Sequence, residues 1–254
     1  FTLLAAAVVR ANVYGWAHER LLPDQIRYRR VGMWAGKDGA ESASASVQVS
    51  LRFQRPCSAA ARAGIVQLLA FHSSVLMQLG TEHEERARRP AAFCCTAELK
   101  QHPGCDHPGH LILRREHDKS DALHVQNVVF GVNQSAAAVT EKWHVQRSGM
   151  WYLLVSSCDP RTGEVVISGE SSWANPHGAL PGELYGFIPF FRTLCLAYVV
   201  AGAAWRALCY RHRSVLLPLQ LCIGGVLALS LLESSAWYYE YTSFNASGSR
   251  RGAG

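Results

Sequence analysis

Two apolar stretches near the C-terminus constrain this chain more than any other feature. Val215 to Leu232 is an uninterrupted run of 18 residues without a charge. Phe187 to Leu208 is almost as clean, with Arg192 inside it and Arg206 two residues from its end as its charges. Each approaches the roughly 20 residues that a helix needs to cross a hydrocarbon layer about 30 Å thick. Burying that much apolar surface in lipid is cheaper than solvating it. The expected spans are therefore helices over 187–208 and 215–237, joined by a short link over 209–214, with the lipid bilayer as the first partner of the chain. The mean hydropathy of the whole chain is near zero, so what precedes Phe187 is far more polar.

Charge sorts the same way. The net charge is +6. From Leu184 onward there are six Arg and two Glu, whereas the first 183 residues hold 19 basic and 17 acidic groups. The basic excess surrounds the apolar spans and says little for nucleic acid, for which no sequence motif is present either. Arg206, Arg211 and Arg213 sit in or beside the link between the spans, which the positive-inside rule places in the cytosol. Both flanks then face the lumen. Each flank carries an acceptor sequon, Asn133-Gln134-Ser135 and Asn245-Ala246-Ser247, giving Asn133 and Asn245 as candidate glycosylation sites.

The chain opens on an apolar run, Phe1 to Val9, followed by Val9-Arg10-Ala11 with small residues placed as at a signal-peptidase site. The expectation is a signal peptide over 1–11 with its front missing; a buried first strand or helix is the alternative. Five of the eight cysteines precede the spans: Cys57, Cys94, Cys95, Cys105 and Cys158. In an oxidising lumen these are disulfide candidates, and an odd number leaves one over. Cys195, Cys209 and Cys222 lie in or beside the apolar stretches and suit small buried hydrophobes.

Residues 12–175 carry mainly strand signals. Ser46 to Phe53 alternates apolar and polar residues with the period of a half-buried strand. Ile65 to Leu79 suits a strand followed by a short helical turn. Leu111–Leu113, Val125–Val132, Trp151–Val155 and Val165–Ile167 are further short candidates. Gly36–Ser46 and the charge run Thr81–Pro90 suit loops. Short strands with Gly, Pro and Asp punctuation predict an antiparallel sandwich, so the class is α+β: a β domain over 12–175, a linker over 176–186 made irregular by Pro and Gly, two transmembrane helices and a trailing segment over 238–254.

Besides Arg206 at the link end, two charged groups fall inside the spans. Arg192 lies about one turn from the luminal end, where it either snorkels to the headgroups or makes a polar contact in a helix bundle. Glu233 lies one turn before the aromatic belt Trp237-Tyr238-Tyr239. An intramembrane carboxylate is a functional candidate, with an interfacial carboxylate as its plainer reading. Chemistry is otherwise thin. His102, Cys105, His107 and His110 have irregular spacing for zinc, His83-Glu84-Glu85 lacks the second ligand of H-E-x-x-H because residue 87 is Ala, and no phosphate loop or nucleophile elbow occurs. No enzyme, catalytic residue, metal or cofactor is expected.

Several motifs carry a resemblance. Phe93-Cys94-Cys95-Thr96 looks like a luminal Cys pair, and Gly149-Met150-Trp151-Tyr152-Leu153 with Cys158-Asp159-Pro160 looks like a strand ahead of the membrane. Trp173, Asn175-Pro176, Gly178, Leu180-Pro181-Gly182 and Tyr185-Gly186 form an entry motif. Glu233, Trp237-Tyr238, Glu240-Tyr241 and Phe244-Asn245 through Gly248 follow the second span. Together they resemble the lung seven-transmembrane receptor family, also called GOST proteins, from about Cys94 to Gly248; before Cys94 the similarity is only topological. The resemblance implies a luminal GOLD-like sandwich and two helices of an incomplete seven-helix bundle, in a C-terminally truncated member. It implies an integral membrane protein of the Golgi and neighbouring compartments that acts in trafficking or cargo sorting. The implied partners are a luminal ligand or cargo protein and cytosolic trafficking or G-protein partners. A signalling receptor and an ion-conducting protein are the alternative roles. For the disulfides, the expectation is Cys94 or Cys95 with Cys57 or Cys105, and the partner of Cys158 stays open.

Overall fold

The computed structural model describes residues 12–35, 45–58, 62–81, 92–114, 120–213 and 218–247. The apolar opening run, most of the Gly36–Ser46 loop, the charge run after Thr81, and the tail after Ser247 lie outside these residues.

Eight strands stand in two four-stranded antiparallel sheets. They are β1 (Asn12–Leu21), β2 (Gln25–Met33), β3 (Ser46–Gln54), β4 (Gly64–His72), β5 (Leu123–Phe130), β6 (Ala136–His144), β7 (Gly149–Ser157) and β8 (Val165–Ala174). One sheet has the order β1-β8-β3-β6 and the other β2-β7-β4-β5. The tight connections β1–β2 and β5–β6 each pass from one sheet to the other, so both sides of the sandwich are closed by turns. Asp24 and Asn133 take positive φ at these two turns, a conformation that Asn and Asp tolerate better than most residues.

β3 shows why the sandwich forms. Val47, Val49, Leu51 and Phe53 all point inward and are buried, while the residues between them are exposed. They meet Val66, Leu68, Trp151, Leu153 and Val155 from the facing sheet, with Trp16 and Trp173 sealing the same core. β4 lacks this alternation because both of its faces are covered. Val66, Leu68 and Ala70 face the first sheet. Leu69 and Phe71 face an outer layer formed by Val75, Leu79, Cys94 and Leu111. A strand buried on two sides reads as a continuous apolar run.

Several expectations need correction. β1, β2 and β6 were not singled out by their residues. In β1 a bulge between Trp16 and Glu19 breaks the period of two. Gly169 opposite the bulge has φ +131°, and a Cβ there would lie 2.2 Å from the Ser50 carbonyl oxygen. Leu111–Leu113 is not a strand: it makes isolated bridges, Leu111 to Cys94 and Leu113 to Leu79. The 176–186 stretch is a folded corner, not a linker, and ends in a short helix α1 (Gly182–Tyr185). Helix α2 runs Phe187–Arg211, three residues past its expected end, and α3 runs Pro218–Ser247, ten residues past Trp237.

α2 and α3 form an antiparallel hairpin. Phe191 stacks on Trp237 at 6.3 Å and on Tyr241 at 5.8 Å. Near the other end, the Trp205 indole N–H donates to the Gln220 carbonyl at 3.1 Å. Apart from Ser234 the described side chains of both helices are at least partly exposed, large hydrophobics included.

Candidate functional site

The cysteines settle first. Cys94 bonds Cys158 and Cys95 bonds Cys105. Cys57 is exposed and unbridged, so its place among the disulfide candidates is corrected. Its segment follows β3 at the surface, whereas Cys94 and Cys158 join the outer layer and Cys95 and Cys105 a separate pocket. The paired cysteines offer no thiolate to a metal. His107 and His110 instead pack edge to face at 5.6 Å, and no group of three metal-ligating side chains occurs among the described residues.

The four remaining candidates are dispersed. Asn133 is exposed at the β5–β6 turn. Buried Arg55 pins that turn: its guanidinium donates to the Gly131 and Gln134 carbonyls at 3.0 and 2.9 Å and lies over the Phe130 ring. Arg192 and Glu233 are exposed on α2 and α3, and no ion pair joins them among the described residues. Asn245 is half-buried against the corner.

That corner is a dense polar site. As β8 ends, Asn175 turns its side chain inward, where it is 1 % exposed. Its Oδ1 accepts the Trp34 backbone N–H at 2.9 Å, while Nδ2 donates to the carbonyls of Gly32 and Leu180 at 3.4 and 3.2 Å. A buried amide with these partners escapes the penalty of an unsatisfied polar group. The chain then doubles back, with the Gly178 N–H donating to the Asn175 carbonyl at 3.1 Å. Ala179 and Leu180 are fully buried, and Pro181 leads into α1. Gly32 of β2 packs flat on α1: a Cβ there would come within 2.7 Å of the Glu183 nitrogen.

From the other side, α3 grips the same loop. Asn245 Nδ2 donates to the His177 carbonyl at 2.7 Å, and its Oδ1 accepts the Leu180 N–H at 3.1 Å. The Asn245 backbone carbonyl accepts the Ala179 N–H at 3.2 Å. His177 lies across the Tyr185 ring at 3.9 Å, and its Nε2 donates to the Leu180 carbonyl at 3.0 Å. Burial lowers the His177 pKa from its ordinary value, against a smaller upward push from that carbonyl.

Beside the corner lies a cleft of about 310 Å³. Tyr14 of β1, Pro181 and Glu183 of the corner, and Glu240, Tyr241 and Phe244 of α3 line it. Two exposed carboxylates among aromatic rings present acceptors and π faces, which suit a cationic or hydroxyl-bearing group. The Pro and Gly residues of 176–186 signalled irregular backbone there. The sequence did not reveal the roles of Asn175 and Asn245, whose side chains reach partners 141 residues away at Trp34 and 68 residues away at His177, nor that of His177, whose ring nitrogen donates to the backbone carbonyl of Leu180.

A disulfide-stapled β-sandwich bonded through a built corner to two long, lipid-suited helices defines an integral membrane protein with an extramembrane β domain. Residues 186–253 match the family model described as "GOST, seven transmembrane domain", the family that the motifs resembled. The chain is 26% identical to mouse transmembrane protein 87B over 104 residues, 41% of this chain and 19% of that protein. It is 33% identical to human transmembrane protein 87A over 73 residues, 29% of this chain and 13% of that protein. The matched segments thus span less than a fifth of the length of these relatives. Among solved structures, tripeptidyl peptidase 2 covers 64% of this chain at 9% identity with a TM-score of 0.33, too low to imply a common fold.

Proposed function

We propose that this protein acts in membrane trafficking or cargo sorting within the Golgi and neighbouring endomembranes, with the β domain in the lumen as a non-enzymatic binding module. The observation that carries the reading is the corner. Its hydrogen bonds tie the sandwich to the membrane helices on both sides, so a load on the β domain reaches the bilayer segment without a floppy tether. Two supports stand beside it. Two disulfides in a small β domain suit an oxidising compartment. The membrane segment resembles the GOST family, for which a trafficking role is the expected one.

The test is expression of the tagged chain in cultured cells. Co-localisation with Golgi markers, protection of the β domain from protease in sealed vesicles, and a glycan at Asn133 would support the proposal. A β domain digested in sealed vesicles, or residence at the plasma membrane with ligand-dependent G-protein activation, would overturn it.

A further inference from the structure

Asn245 stands in an acceptor sequon, yet its amide is already in use. The nitrogen that would carry a glycan donates to the His177 carbonyl at 2.7 Å, and the paired oxygen accepts from Leu180. The residue is half-buried, and α3 continues through the sequon to Ser247. At 1.5 Å per residue, eight residues place it only about 12 Å beyond Trp237. Gly178 has φ +128°, and a Cβ there would stand 2.5 Å from Asn245 Oδ1. The loop has therefore been left without a side chain where Asn245 enters. Asn133 differs on every count: exposed, in a turn, and facing away from the core.

We infer that Asn245 is not a glycan acceptor but one half of a two-asparagine clasp. Asn175 holds the 177–180 loop to the sandwich and Asn245 holds the same loop to α3. Both amides address Leu180: Asn175 Nδ2 donates to its carbonyl while its N–H donates to Asn245 Oδ1. Loss of either amide loosens one side of the loop, leaving the Ala179 N–H bond to the Asn245 backbone carbonyl on the α3 side, so a displacement of α3 along or about its axis is felt at β2 and β8 through residues 177–180. Asn245 is a positioning residue for the membrane end of the β domain.

The experiment uses the full chain, expressed in glycosylating cells and purified in detergent. Glycopeptide mapping should find Asn133 occupied and Asn245 empty, with the gel shift abolished by Asn133→Gln and unchanged by Asn245→Gln. Hydrogen exchange of the peptide covering residues 176–184 should be roughly tenfold faster in Asn245→Ala than in the parent chain, since a lost hydrogen bond of ordinary strength lowers local protection by about that factor. Gly178→Ala should reproduce the effect by crowding Asn245 out, and Asn133→Gln should leave exchange unchanged. A glycan on Asn245 in folded, membrane-integrated protein overturns the inference, as does unchanged exchange in Asn245→Ala. A chain with no glycan at all overturns the luminal reading alone; the exchange result then decides the clasp by itself.

Discussion

The sandwich and the helical hairpin use the same apolar residues in opposite ways. In the sandwich, Trp16, Trp151 and Trp173 are no more than 1 % exposed, and the polar residues between the core positions of β3 face out. In the hairpin, Leu196 and Leu229 are 65 and 67 % exposed. A side chain's burial reports the solvent for which a region is built: the sandwich hides apolar surface from water, and the hairpin offers it to lipid or to neighbouring helices. Nothing local distinguishes Leu229 from Leu51 of β3. The difference lies in periodicity, which is two in a half-buried strand and absent where a helix is apolar on every side.

The comparison can be broken most sharply in the sandwich. Trp151→Ala removes a buried indole whose N–H donates to the Arg147 carbonyl at 2.9 Å; a loss of about 3–5 kcal/mol is expected, read as collapse of the cooperative denaturant transition of the β domain. A pair of matched arginines sharpens the contrast. Leu229→Arg should cost about 3 kcal/mol of membrane insertion, measured as the inserted fraction in microsomes. Val129→Arg, at a β5 position 57 % exposed, should change stability by less than about 0.5 kcal/mol. Equal costs at the two sites would mean that the hairpin does not sit in lipid.

The smallest effect is that of pH. His124 lies between Trp143 and Trp151 at 5.9 and 6.2 Å, and burial lowers its pKa, as it does for His177. The unfolded chain then binds more protons than the folded one once pH falls below about 6.5, the ordinary value. Stability is flat above that pH and declines below it. Thermal melts from pH 7.5 to 5 should show a falling Tm, with a shallower fall in His124→Gln.

Legibility in the sequence followed the same divide. The spans announce themselves because every residue contributes to one signal, and Ser46–Phe53 because alternation is clean. Helix α3 runs past its expected end at Trp237, where Tyr241 packs on Phe187 and Phe191 of α2 and Asn245 bonds the corner, a tertiary cause that hydropathy does not carry. β6, with Ala136 to Ala138 at its start, is too weakly apolar to declare itself, and it is fixed by its register with β3. The sequon at Asn245 carries no statement of what its amide will touch, because its partners lie at His177 and Leu180, far outside a three-residue motif.

Cys94 and Cys95 show how direction alone assigns partners. Successive residues of an extended segment point to opposite sides. Cys94 therefore joins the layer over β4 and β7 with Cys158, and Cys95 joins a separate pocket with Cys105 and Ile112. Exchanging the two partners would require the segment to roll over about its own axis and surrender its ladder with residues 109–112. An insertion or deletion of one residue just before this pair would thus do more than shift a loop: it would present each sulfur to the wrong neighbour and turn correct oxidation into misfolding.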